Sequence, residues 1–357
     1  MKAVFWQSVV NSDEETSKYV LETDLPVPSP GKNEVQVKVK TSALSPINQK
    51  VLDEVFRKNP DQKHYAVGRD VAGVITQVGE GVLTFKEGDV VVGVVPLSSI
   101  NSGCAEYCIF HEYDIVKKPE MLSFEDAACG IGDCLHAYTA LHYLCRLCAG
   151  DTILVMDGAS TFGSITIQLA LSWGAKVITT VASAEERHFL KSSIPSLAQI
   201  IDVSGHGSML RSSVMEETGG LGVDCIIDNG VRMFTETDDI IFTKENFSRP
   251  VPHKYDLISC LGSFGRWVTS QPDLQLDPPD SRELFLRSGS LCFLFDSIWT
   301  MSYSQHGRYK HILCDAVDKL DRGLLKVNIS KTIQVDEAVS NFLSISDQIF
   351  GKTIVQF

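Results

Sequence analysis

Hydrophobic and polar positions alternate along the opening part of the chain. Segments such as NEVQVKVKTSAL, RDVAGVITQVGEGV, DVVVGVV and AEYCIF are broken by Gly, Pro and Asp, which predicts short strands joined by turns from Met1 to about Pro119. The first twenty residues, MKAVFWQSVVNSDEETSKYV, are expected to form an edge strand, an acidic turn and a second strand. Many short strands punctuated in this way point to an irregular barrel.

From about Ser123 the period lengthens. SFEDAACGIGDCLHAYTALHYLCRL predicts a helix with Ser123 as N-cap and Asp126 near N3. Strands are then predicted in TILVMD, AKVITTVA, AQIIDVS and GVDCIIDNG, separated by helices in TFGSITIQLALSWG, SAEERHFLKS and GSMLRSSVMEETGG. DLISCLGSFGRWVTS and GSLCFLFDS predict two more strands. Strands alternating with helices at this spacing argue for a doubly wound parallel sheet. After about Ser302 come a helix in YKHILCDAVDKLDRG, stopped by Gly323, a second helix and the strand GKTIVQF. Two segments do not fit a minimal sheet: Val231 to Asp256, and the Pro- and Asp-rich run from Gln271 to Leu284. Both are expected to be surface excursions, a kind of loop that is often functional.

Composition narrows the class. A chain of 357 residues, 44% hydrophobic and 22% charged, can bury the cores of two domains. Its 32 basic and 45 acidic side chains leave a net charge of −13, with no basic run to neutralise phosphates, so neither direct nucleic-acid contact nor membrane insertion is expected. No apolar run approaches the roughly 18 residues of a membrane span, and the N-terminus has no secretory pattern, so a cytoplasmic location is expected. The ten cysteines stand mostly in apolar surroundings and suggest reduced, buried thiols. Cys145 and Cys148 make one CxxC, and Cys104 and Cys108 flank AEY. A structural zinc needs four converging ligands, so no metal site is expected.

GRDVAGVITQVGEGV, FKEGDVV, AEY, AYTAL, GGLGVD and GKTIVQF, in this order and nearly end to end, resemble the medium-chain dehydrogenase/reductase superfamily, in its zinc-free quinone oxidoreductase (zeta-crystallin) branch. Zinc-binding relatives carry Gly-His-Glu where this chain has VGRDVAG. The resemblance implies an α/β chain in which a GroES-like β-barrel domain, built from both chain ends, accepts an inserted Rossmann domain with a doubly wound parallel sheet. The expected boundaries are residues 1–122 and 303–357 for the barrel and 123–302 for the Rossmann domain. It also implies NADP(H) as cofactor and a homodimer joined through Gly289 to Ser297. A closer set, VGRDVAG, MDGAS, AYTALHYL, EETGGLGVD and LQLDPPDS, resembles a quinone oxidoreductase-like subgroup. That resemblance implies membership of the FERRY complex, a Rab effector assembly on early endosomes that carries mRNA and ribosomes.

The expected cofactor turn is unusual. A Rossmann turn uses glycines so that the chain can turn tightly after the strand and so that backbone N–H groups can approach a pyrophosphate. Aligned without a gap, Asp157 stands at the family's first glycine and Ser160 at the second, and Gly163, the close-packing glycine, is kept. A competing alignment keeps Gly158 and shortens the turn by one residue. Thr161 and Phe162 add bulk in either case. A carboxylate about 4 Å from a phosphate costs about 4 kcal/mol at an effective dielectric near 20, about three orders of magnitude in affinity. Alternatively, Asp157 caps the following helix, where a carboxylate is favourable.

Further candidates come with the resemblance. Arg187, in SAEER, stands near the family's 2′-phosphate cation, although beside Glu185 and Glu186 it also suits a solvated helix face. In LSPINQK the nicotinamide-pocket candidates are Ser45, Asn48 and Lys50, with Ser45 at the family's Asn and Lys50 at its Tyr. Two functions follow: a non-catalytic, dimeric scaffold subunit, or an active NADPH-dependent quinone or enone reductase, for which the cofactor itself carries the hydride chemistry.

Overall fold

A computed structural model describes residues 1–11, 14–45, 64–204, 209–233, 251–301, 303–345, 348 and 350–357. It divides into two compact units, Met1–Leu135 with Asp296–Phe357, and His136–Phe295. These divisions fall at Leu135/His136 and Phe295/Asp296, against the expected 122/123 and 302/303.

The first unit is β-rich and uses both ends of the chain. β1 (Ala3–Asn11), β2 (Glu14–Glu22) and β4 (His64–Ala66) form a three-stranded sheet in the order β2-β1-β4. β1 is therefore central rather than the edge strand its sequence suggested, because both of its backbone edges are paired. The larger sheet joins β3 (Glu34–Ala43), β5 (Asp70–Val78), β6 (Val90–Val94), β7 (Tyr107–His111) and β8 (Ile115–Lys117) to β15 (Ile329–Gln334) and β16 (Lys352–Gln356). The alternation in β3 turns Val35, Val37 and Val39 into the core while Lys38 stays exposed. β16 pairs antiparallel with the end of β3, Ile354 opposite Ala43, which stitches the C-terminal strand into the N-terminal sheet.

One ionic cluster is buried in this unit. Lys352 Nζ lies 3.1 Å from Asp70 and 3.0 Å from Asp133. Burial opposes the ammonium, but two carboxylates around one lysine outweigh it and hold Lys352 charged, well above its ordinary range.

The second unit is a six-stranded, wholly parallel sheet in the order β11-β10-β9-β12-β13-β14. Its strands are β9 (Thr152–Val155), β10 (Lys176–Val181), β11 (Gln199–Asp202), β12 (Val223–Ile227), β13 (Leu261–Thr269) and β14 (Ser290–Phe293). The central strands carry continuous apolar runs because helices cover both faces. α1 (Phe124–Tyr138), which belongs to the first unit up to Leu135, begins as expected, with Ser123 Oγ accepting from the Asp126 N–H at 2.9 Å. It runs on into a π-helical turn, Thr139–Leu144. α2 (Thr161–Ser172), α3 (Ala184–Ser193) and α4 (Met209–Glu217) connect successive strands.

The two supposed excursions are partly built into the core. Val231 is 1% exposed, and α5 (Lys254–Cys260) covers DLISC, which its apolar run alone had suggested to be strand. Residues 234–250 of the first excursion lie outside those described. The second contains α6 (Pro278–Leu286), where the prolines occupy the first turn, the place a helix tolerates them, and Asp280 Oδ2 accepts from the Asp277 N–H at 3.1 Å. Lys254, 2% exposed, ties α5 to α6 through Asp277 at 2.7 Å, Asp280 at 2.9 Å and the Gln275 carbonyl at 3.0 Å. α7 (His306–Asp321) and α8 (Ala338–Leu343) belong to the first unit.

Candidate functional site

In an open α/β sheet, ligands lie in the crevice beyond the carboxyl ends of the strands where the strand order reverses. Here that point is between β9 and β12: the chain steps from β9 outward through β10 to β11, then crosses to β12 and continues to β14. Val155 and Ile227 are paired in register at the ends of those strands. Two residues beyond each stand Asp157 and Asn229.

The turn after β9 keeps the backbone of a glycine turn without the glycine. Asp157 has φ +55°, the left-handed region that Asp tolerates better than most residues. Its N–H donates to Thr180 Oγ1 at 2.9 Å, and its carbonyl accepts from the Ser160 N–H at 3.0 Å and Ser160 Oγ at 2.7 Å. Gly158 is required by packing, since a Cβ there would run into Thr179 Oγ1. A Cβ on Gly163 would meet the Asp157 carbonyl, so this glycine lets α2 close on the turn.

The cap of α2 is Ser160, not Asp157. Ser160 Oγ accepts from the Gly163 N–H at 3.0 Å. The amides of Thr161 and Phe162 occupy the first turn of α2, where no intrahelical acceptor exists. With its capping role taken, the Asp157 side chain reaches across the crevice: Oδ2 accepts from Asn229 Nδ2 at 3.0 Å. Phe162 is half-buried, edge-on to His136 at 4.5 Å.

Asn229 was not singled out from the sequence. Its sole sequence signal is DNG at the end of a central apolar strand, a turn that must lie beside the β9 turn if the sheet is doubly wound. The residue before it, Asp228, is 1% exposed and accepts from Trp267 Nε1 at 2.5 Å, Thr269 Oγ1 at 3.0 Å and the Gly230 N–H at 2.9 Å. Burial pushes its carboxyl up to about 6, against the opposing pull of those three donors. Val231 N–H donates to Gln271 Oε1 at 2.9 Å, fixing the far side of the same turn.

The other candidates are placed apart from this cluster. Arg187 Nη1 donates to the Ile200 carbonyl at 3.0 Å and Nη2 lies 3.8 Å from Asp202, so its guanidinium joins α3 to β11. Glu186, beside it, is buried and accepts from the Ala182 N–H at 2.7 Å. Ser45 follows the end of β3 in the first unit and is half-buried. Asn48 and Lys50 lie outside the described residues.

A dinucleotide pyrophosphate laid on the β9 turn would meet the Asp157 carboxylate, and Asn229 is neutral, so their bond orients that charge without cancelling it. The residues present do not fit NADP(H). Among the described residues, no group of three or more His, Cys, Asp or Glu side chains could hold a metal ion, and no helix is long and apolar enough to cross a membrane. The cysteines are free thiols. Cys148 and Cys314 are exposed and Cys292 half-buried, and the other seven are buried as expected. Cys145 is pushed well above its ordinary range by a contact with Cys225 and by burial.

Comparison with known proteins agrees with the fold. Residues 31–163 match the alcohol dehydrogenase GroES-like domain. The chain is 42% identical to quinone oxidoreductase-like protein 1 of Mus musculus over 100% of both chains. It is 33% identical to quinone oxidoreductase of Homo sapiens over 46% of this chain and 49% of that protein. Among solved structures, a mycobacterial quinone oxidoreductase superposes with a TM-score of 0.73 at 22% identity, covering 99% of this chain and 100% of that one. A mycobacterial protein solved with NADPH gives a TM-score of 0.76 at 22% identity over 100% of both chains.

Proposed function

The chain belongs to the quinone oxidoreductase-like proteins of the medium-chain dehydrogenase/reductase superfamily, and from that premise we propose that it is a reductase fold turned to assembly. It acts as a non-catalytic or weakly active dimeric subunit of the FERRY complex, cytoplasmic and carried on early endosomes. Residual catalysis, where present, would be NADPH-dependent reduction of a quinone or enone. The observation that carries this reading is the Asp157 carboxylate, held at the head of the β9–β12 crevice by Asn229. Binding precedes any hydride transfer, and an anion at that point disfavours the cofactor before chemistry begins.

Partner surfaces agree with this reading. β14 ends the sheet order, and Phe293 at its end is 53% exposed, which suits pairing of two copies through Gly289 to Ser297. Asp296 and Ser297 in that stretch belong to the first unit. A net charge of −13 supports a division of labour in which other subunits of such an assembly make any RNA contact.

The test is a titration of the purified chain with NADPH, followed by nucleotide fluorescence and by turnover with a quinone. Silence at millimolar NADPH with no turnover is expected. Micromolar saturation with steady turnover would restore the reductase reading.

A further inference from the structure

Two effects could close the crevice, and their sizes differ. One exposed hydrogen bond between Asp157 and Asn229, at the low end of what a bond to a carboxylate contributes, changes an affinity about tenfold. A carboxylate held beside a phosphate changes it about a thousandfold. The bond therefore cannot exclude a dinucleotide by its own strength. It matters because it fixes where the charge sits and removes the escape of turning the carboxylate away.

Both ends of the bond are anchored. On one side Asp157 is held by its left-handed backbone and by its N–H on Thr180 Oγ1. On the other, Asn229 stands between Asp228, whose buried carboxylate takes the Gly230 N–H, and Val231, whose N–H is taken by Gln271. Several features of the turn keep the geometry of a nucleotide cradle: the positive φ, the contact of Gly158 with Thr179, the contact of Gly163 with the turn, and two first-turn amides of a 12-residue helix.

We propose that Asn229 is the positioning residue that holds the Asp157 charge across the β9 turn, and that this held charge is the largest single obstacle to a dinucleotide there. The inference rests on the scaffold reading above and deepens it, since it names what was lost and where.

The experiment uses the full chain, wild type and the variants Asp157→Gly, Asp157→Asn and Asn229→Ala, with NADPH as probe. Affinity is read by fluorescence and folding by thermal melting. Asp157→Gly keeps the left-handed turn without strain and is expected to bind at least a hundredfold more tightly than wild type. Asp157→Asn, which keeps the shape and removes the charge, should gain similarly. Asn229→Ala should gain about tenfold, because the carboxylate can then swing aside, and a gain of affinity is a readout that loosening of the fold does not produce. Silence from both Asp157 variants, with wild-type melting and a silent wild type, overturns the inference and leaves the scaffold reading standing. A gain from both Asp157 variants with none from Asn229→Ala overturns the role of Asn229. Micromolar binding by the wild type overturns the scaffold reading itself.

Discussion

The two ends of the parallel sheet have gone different ways. At the carboxyl end, where the fold places ligands, polar side chains bridge the crevice: Asp157 to Asn229, with Asp228 buried beneath. At the amino end, large apolar side chains face outward: Leu221 before β12, Phe264 in β13, and Phe285 and Leu286 at the end of α6, each more than two-thirds exposed. Phe264 is held there at φ +63°, a conformation an L-residue adopts at a cost, by its N–H on the Arg287 carbonyl at 2.7 Å. The β12–β13 register shifts between Val223 and Cys225 because residues 262–265 are extruded, and this bulge presents the ring. The contrast teaches that, on one sheet with an intact core and topology, the carboxyl end is closed by paired polar side chains while the amino end leaves large apolar ones exposed.

The largest effect expected in breaking this contrast is on the clamp that holds the first turn of α6, the helix whose far end carries Phe285 and Leu286. Lys254→Met leaves Asp280, 4% exposed, as a buried carboxylate without its ammonium. Removing one partner of a buried pair costs about 3–5 kcal/mol. A loss of this size in chemical denaturation is expected, and a loss below 1 kcal/mol would show α6 to be held by its apolar contacts instead.

Next in size is a pH effect at the ligand end. Asp228 is raised from 3.8 to about 6 in the folded protein, so between those values the folded state holds the proton more tightly than the unfolded chain. Its contribution to stability is fully present below the unfolded value and declines as pH rises towards the folded one, by on the order of 3 kcal/mol in all. Denaturation at a series of pH values should show this slope in wild type and a flattened one in Asp228→Asn. Equal slopes would place the titration elsewhere.

The smallest effect is at Phe264. Replacement by Gly relieves the left-handed strain but adds freedom to the unfolded chain, for a net gain of up to about 1 kcal/mol. Melting should rise slightly, and on the assembly reading proposed above recovery of partner subunits should fall. Unchanged recovery from a stable variant would remove this ring from the contact surface.

Much of this organisation was legible in the sequence. The alternation of strands and helices, the cap at Ser123 and the odd turn after β9 all follow from local periodicity and turn chemistry. What escaped was non-local or ambiguous. LISCL is too short an apolar run to separate helix from strand by period, and α5 took it. The Asp–Pro–Pro run resembles a loop until Asp277 and Asp280 are seen to cap α6 and to meet Lys254, more than 20 residues earlier in the chain. Asp157 was visible as a charge, but where its carboxylate sits depends on Asn229, 72 residues away, and on Ser160 having already taken the cap.

The most direct test is a crystal structure of the wild-type chain grown with millimolar NADPH. The result expected is an Asp157 carboxylate still bonded to Asn229, with no nucleotide at the end of β9. A fully occupied pyrophosphate on the Thr161 and Phe162 amides, with Asp157 displaced, would contradict it.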